Sequence, residues 1–267
     1  MPKVSVLMPA YNAEQYISEA IQSILDQSFT DYEFIIIDDC STDTTWEIIQ
    51  HYASLDTRIK AVRNEQNLKI SKTRNKLLWL AQWEYIAWLD ADDKMTLDRL
   101  SLQVQFLNKN LLVWVVWWAI EFFDNLSWSK WIRRYLLNDN DLRKKIFQQS
   151  PVSQWASMFR SSIIKQVWLF DESLRQAEDL DMSFRVGQHS QFANLDVVVL
   201  YCRYHKESVS AKTIKVNIRD SLLVRDRYQK SNKYSWSYVD SLAYYFTYFS
   251  QFLPAKFILK LFELLRW

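Results

Sequence analysis

The sequence predicts an α/β fold, with a mostly parallel sheet covered by helices on its faces. Two observations lead there. Short apolar runs alternate with segments of helical period through the first hundred residues, and two clusters of carboxylates stand directly after such runs. Parallel neighbours need a crossover between them, usually a helix, so the alternation and a parallel sheet go together. The 267 residues, 49% apolar and 24% charged, suffice for one large or two small domains around a sizeable core.

Residues 3–9 read as a short buried strand, and residues 14–27 place Tyr16, Ile17, Ala20, Ile21, Ile24 and Leu25 at helical spacing. Residues 34–37 form a second strand that runs into Asp38-Asp39, and 43–54 suit a helix. A strand over 59–62, a helix over 71–81 and a fourth strand over 85–89 follow, the last ending in Asp90-Ala91-Asp92-Asp93. Residues 96–108 read as a helix and 113–123 as a long apolar strand. The stretch 124–150 is polar and irregular, with a short helix near 139–147. Beyond it, 155–160 look extended, 176–187 helical and 193–204 extended again. From about 214 the chain is helical in period and rich in aromatic and basic residues. This divides the chain into a domain over 1–213 and a helical extension over 214–267.

Thirty-three Lys and Arg against thirty-one Asp and Glu leave a net charge of +2, which argues against a globally basic nucleic-acid binder. Cys40 and Cys202 are far apart, and no signal-peptide pattern opens the chain, so a reducing, cytoplasmic setting is expected. Thr247, Ser250 and Gln251 interrupt the apolar run near the end, so no spanning helix is expected. The Gly-Lys phosphate loop and the Gly-rich dinucleotide fingerprint are both absent.

Both acidic clusters fall at predicted strand C-termini, the edge where open α/β sheets bind ligands. Three carboxylates within Asp90–Asp93 repel one another unless a cation or solvent intervenes, and a hard divalent ion takes one or two carboxylates plus phosphate oxygens. A solvated loop with an Asp cap before the next helix is the competing reading. Capping explains Ser41, Thr42 and Asp43, but not an Asp pair ending an apolar strand, so Asp39 is a ligand candidate. Tyr11, in Pro9-Ala10-Tyr11-Asn12, is suited either to stacking on a base or to packing within its loop.

Taken in order, Val4 to Asn12, Asp38 to Asp43, Arg74-Asn75, Asp90 to Asp92 and Glu178-Asp179 resemble the inverting family-2 glycosyltransferases of GT-A fold, over about residues 3–210. The resemblance implies a GT-A type, Rossmann-like sheet flanked by helices, and transfer of a sugar from a nucleotide-sugar donor to a saccharide or lipid-linked acceptor, with inversion. It assigns donor binding to Pro9, Tyr11, Asp39, Arg74 and Asp90. It gives the metal, Mg²⁺ or Mn²⁺, to Asp92, with His205 of Tyr201-Cys202-Arg203-Tyr204-His205 approaching the diphosphate and metal. Asp179, in Ala177-Glu178-Asp179-Leu180-Asp181, becomes the catalytic base that an attacking hydroxyl requires. A surface ion pair at Arg74, an acidic surface helix at 171–181 and a structural His205 are the plainer alternatives. The aromatic and basic residues of 240–267 suit either peripheral contact with the inner face of a membrane or packing on the catalytic domain. A nucleotide-sugar-binding or membrane-associated scaffold that has lost catalysis is the alternative from another class. A nucleotidyltransferase is weaker, for want of a Gly-rich segment after the first strand.

One departure stands out. Average usage predicts roughly 19 glycines, whereas Gly187 is the single one and tryptophan occurs thirteen times. Lys69, Trp83 and Trp168 stand where the family pattern carries glycine. UGA is read as tryptophan in one variant code and as glycine in another, so translating a UGA-glycine gene with the tryptophan table accounts for Trp83 and Trp168. It does not account for Lys69, and Trp88, inside a predicted strand, reads as a genuine tryptophan.

Overall fold

The computed structural model describes residues 3–82, 84–123, 131–151, 154–167, 169–203, 213–231 and 233–258. The chain opens with the alternation that its sequence predicts: β1 (Val4–Ala10), α1 (Ile17–Leu25), β2 (Tyr32–Asp38), α2 (Thr45–Leu55), β3 (Ile59–Arg63), α3 (Ile70–Leu80) and β4 (Tyr85–Trp88). β2 lies between β1 and β3, and β1 between β2 and β4, all parallel. Every residue of β1 and β2 is buried. Val4, Val6 and Met8 face the cluster that α1 and Ile49 of α2 join, while Leu7, Ile35 and Ile37 face the one that α3 closes. Burial on both faces is why these strands read as continuous apolar runs rather than as alternation.

The second half of the sheet is mixed. β5 (Lys94–Met95), α4 (Arg99–Lys109), β6 (Val113–Phe123), β7 (Trp131–Arg133), α5 (Asp139–Lys145), β8 (Met158–Arg160), α6 (Ser161–Val167), α7 (Glu178–Gly187) and β9 (Gln191–Arg203) follow in sequence. The strand order is β3-β2-β1-β4-β8-β6-β9-β5, with β7 on the side of β6. The extended stretch at 155–160 resolves into a 3₁₀ turn, Gln154–Ala156, and β8, which runs antiparallel to both β4 and β6. β6 therefore runs in the direction of β4, and β9 is parallel to β6. The C-terminal ends of β1, β2, β4, β6 and β9 thus share one edge.

α8 (Ile214–Tyr228) and α9 (Tyr238–Ser250) complete the described chain. α8 buries Ile218, Leu222, Val224 and Tyr228, the last two within the core shared with α7. α9 starts at a capping box between Ser237 and Asp240 and turns Tyr238, Tyr245 and Phe249 outward. No helix among the described residues is long and apolar enough to cross a membrane.

Gly187 ends α7 where a Cβ would collide with the Tyr234 hydroxyl and come within 2.6 Å of the Phe192 ring. Left-handed backbone falls instead on Asn12, Cys40, Lys69 and Ala177, with φ between 49° and 72°. All four lie in loops after β1 or β2, or before α3 or α7. Trp88 is buried in β4 edge-on to Phe170. Trp83 and Trp168 lie outside the described residues.

Candidate active site

The β1 and β2 ends are laced together before any ligand is considered. Asp39 N–H donates to Ala10 O at 2.8 Å, Asn12 N–H to Ser41 Oγ at 2.9 Å, and Thr42 N–H to Asn12 Oδ1 at 2.9 Å. Pro9 is buried in β1 opposite Ile37, and Tyr11 beyond it is about half exposed. The two adjacent aspartates part company here. Asp38 is sealed, accepting from Ser41 and pairing with Arg63. Asp39, also buried, accepts from Asn64 Nδ2 at 2.7 Å and from the Leu68 and Lys69 backbone N–H groups at 2.8 and 2.9 Å. It thereby holds the loop that leads into α3, including the unusual backbone at Lys69.

The carboxylates after β4 also divide. Asp90 and Asp92 are half-buried, whereas Asp93 is turned inward and accepts the Arg203 N–H at 2.9 Å. Arg203, the last residue of β9, donates from Nε to the Asp92 carbonyl at 3.1 Å and from Nη2 to Glu19 at 3.1 Å. Below them Arg99, fully buried, donates to the carbonyls of Trp88, Trp155 and Ser157 at 2.8 to 3.2 Å. Burial pulls its guanidinium down to about 9. The partners of both arginines, backbone carbonyls for Arg99 and the Asp93 and Glu19 carboxylates with the Asp92 carbonyl for Arg203, are brought together only by the fold, so no local pattern points to them.

Arg74 joins the two sides of the site. It is buried on α3, donates from Nη1 to Glu178 Oε1 at 2.5 Å and reaches Asp90 Oδ1 from Nη2 at 3.4 Å. Trp88 and Phe170 flank its guanidinium, their ring centroids 5.9 and 5.8 Å away. The surface ion pair considered from sequence is thus a buried one. Its neighbour Asn75 turns to the Phe170 backbone, accepting from N–H at 2.8 Å and donating to O at 3.0 Å, and so holds the loop before α7. Asp179, in the first turn of α7, accepts the Leu180 N–H at 2.8 Å. Burial, then the adjacent Glu178, raises its carboxyl to about 6 against the opposing pull of Arg74. Burial likewise raises Asp90, Arg74 opposing and Asp92 adding to the rise.

Asp90, Glu178 and Asp179 therefore crowd around Arg74, with Asp92 beside Asp90, and such crowding is what a hard divalent cation relieves. Among the described residues no three His, Cys, Asp or Glu side chains converge as a closed cage. A divalent ion would take much of its shell from phosphate and water, as Mg²⁺ commonly does. The oxygen donors fit that chemistry. His205 lies outside the described residues.

A twisted sheet with nucleotide-type crossovers in its first half and an acidic edge between two halves defines a GT-A type glycosyltransferase fold, and the comparisons agree. The family model for glycosyl transferase family 2 matches residues 5–168, and the chain belongs to that family. TuaG of Bacillus subtilis, named for teichuronic acid biosynthesis, is 48% identical over 106 residues, which are 40% of this chain and 42% of TuaG. The chain thus spans less than half of that relative. WfaP of Escherichia coli, named a UDP-Glc:α-D-GlcNAc-diphosphoundecaprenol β-1,3-glucosyltransferase, is 28% identical over 84% of this chain and 86% of its own. Among solved structures, the mannosyltransferase PcManGT of Pyrobaculum calidifontis, in complex with GDP-Man and Mn²⁺, superposes with a TM-score of 0.67 at 16% identity, over 97% of this chain and 72% of its own.

Proposed function

We propose that the protein is a divalent-metal-dependent, inverting glycosyltransferase of surface polysaccharide or glycolipid synthesis. It moves a sugar from a nucleotide-sugar to a hydroxyl of a saccharide or lipid-linked acceptor. The single observation that carries the reading is the Arg74 bridge between Asp90 and Glu178, which ties the donor side after β4 to the acceptor side at Asp179. Pro9, Tyr11 and Asp39 line the nucleobase end, Asp90 takes the ribose and donor sugar, and Arg74 neutralises the carboxylates that meet there. Asp179 accepts the proton of the acceptor hydroxyl as its oxygen bonds to the anomeric carbon. The bond from that carbon to the phosphate oxygen breaks on the opposite face, and its electron pair leaves with the nucleoside diphosphate. Asp92 and His205 would hold Mg²⁺ or Mn²⁺, which when bound would supply positive charge against the leaving diphosphate.

The names of TuaG and WfaP support a polysaccharide or lipid-linked acceptor, and the GDP-Man and Mn²⁺ of PcManGT support the donor class and the metal. The outward aromatic face of α9, followed by Lys256, supports peripheral contact of 240–267 with the cytoplasmic face of a membrane. A screen of nucleotide-sugars with Mn²⁺, read as released nucleoside diphosphate, tests the assignment. Slow turnover of one donor is expected, and binding without any turnover would favour the scaffold instead.

A further inference from the structure

The loop from Phe170 to Asp179 is gripped from two directions. On the α3 side, Asn75 holds Phe170, and Ser71 Oγ donates to Leu174 O at 3.2 Å. The other grip comes from α8, far along the chain. Asp220, 3% exposed, sets its Oδ2 on two successive backbone N–H groups, those of Arg175 and Gln176, both at 3.0 Å. Its Oδ1 takes Nε and Nη2 of Arg219 at 3.1 and 3.0 Å, which fixes the carboxylate plane. Two turns further on, Arg227 Nη1 joins Asp171 at 3.0 Å to Asp181 at 2.7 Å, and Tyr228 OH donates to Asp181 at 3.1 Å. Asp181 lies in the first turn of α7 and is fully buried.

The two N–H groups held by Asp220 immediately precede Ala177, whose φ of 61° turns the chain into α7. Glu178 and Asp179 follow at once. An acceptor oxygen shared by consecutive amides fixes the orientation of both peptide planes, and hence the direction in which the next residues leave the turn. We infer that Asp220 is a positioning residue for Asp179, setting the entry of α7 and with it the placement of that carboxylate beside Glu178 and Arg74. The functional side of this inference rests on the reading of Asp179 as the base. α8 is in this view part of the acceptor side rather than an appendage to it.

The charged groups against Asp179 are Glu178 on its own helix and Arg74 from α3, which also holds Asp90 after β4. A looser turn admits water and moves Asp179 away from both. The test uses the full chain with Asp carboxyls labelled with ¹³C, the Asp179 signal being assigned by its loss in Asp179→Asn. In Asp220→Ala the midpoint of Asp179 is expected to fall from about 6 by about half a unit or more. kcat for nucleoside diphosphate release is expected to drop about tenfold, with nucleoside diphosphate affinity within about twofold. Asp220→Asn, which keeps the acceptor oxygen, restores both. A folded Asp220→Ala with the parent midpoint and kcat overturns the inference. Should that variant fail to fold, Asp220→Glu displaces the oxygen by one methylene, and the same two readouts decide. If Asp179→Asn retains transfer, the base reading fails on its own, and the carboxyl titration still decides whether Asp220 places Asp179.

Discussion

Arg74 and Glu178 are 104 positions apart in sequence and share a hydrogen-bonded ion pair in which both side chains are more than nine-tenths buried. Removing one member of such a pair strands a buried charge. Arg74→Ala is expected to destabilise the fold by about 3–5 kcal/mol, read from urea denaturation. The double variant Arg74→Ala with Glu178→Gln should recover part of that loss.

Asp179 gives a pH dependence with a definite sign. A base must be unprotonated, so kcat should fall about tenfold per unit as pH drops below about 6. Stability runs the other way. The folded chain holds this proton up to about 6 and the unfolded chain only to the ordinary value of 3.8, so stability from this group is lost as pH rises through that window. Asp179→Asn should abolish transfer, leave donor affinity nearly intact and flatten this part of the stability profile. Transfer within about tenfold of the parent rules Asp179 out as the base.

Asp92→Asn should abolish metal-dependent binding of nucleoside diphosphate while the fold persists, since Asp92 is half-buried, the substitution is isosteric, and the backbone carbonyl that accepts from Arg203 is kept. Calorimetric titration with and without Mn²⁺ measures this. Unchanged metal dependence removes Asp92 from the site.

Lys69 adopts φ 72° and ψ 166°, a region almost reserved for glycine. Lys69→Gly should therefore raise stability by about 1 kcal/mol, the relief of about 1–3 kcal/mol being partly offset by the entropy of glycine in the unfolded chain. A matched shift of the urea midpoint at constant slope is the expected record.

The tryptophans can be settled by mass. Native peptides spanning 77–94 and covering residue 168 should carry glycine at 83 and 168 and tryptophan at 88. The indole N–H groups of Trp118 and Trp155 are buried without a hydrogen-bond partner among the described residues, a state that tryptophan ordinarily avoids. Tryptophan at 83 in protein from the source cell ends the recoding idea.

Much of this was legible because it depends on local pattern. Runs such as Phe34 to Ile37 are buried on both faces, so their composition alone announces a central strand, and the carboxylates after them mark the binding edge. Which carboxylate faces inward was not legible. Asp38 differs from Asp39, and Asp93 from Asp92, only through partners such as Arg63 and Arg203, the latter arriving 110 residues later. β5 has two residues, too few for any period to show, and the direction of β8 is decided by the neighbours it lies between. Asp220 sits in a helix of weak amphipathic pattern, and nothing in its own neighbourhood points to residues 175 and 176.

β8 has three residues, yet among the described strands it alone joins the β1–β4 half to the β6–β9 half. During synthesis, residues 4–88 emerge with four parallel strands and their crossovers already in hand, while the far half of the sheet has nowhere to attach until residues 158–160 follow. The nascent chain thus exposes the open edge of β4 across some seventy residues of further translation, from Trp88 to Met158. An exposed strand edge is a template for unwanted pairing. Slow or interrupted elongation over that interval should favour aggregation of the N-terminal half, and substitutions in Met158 or Phe159 should lower the yield of folded protein more than their small number of atoms suggests.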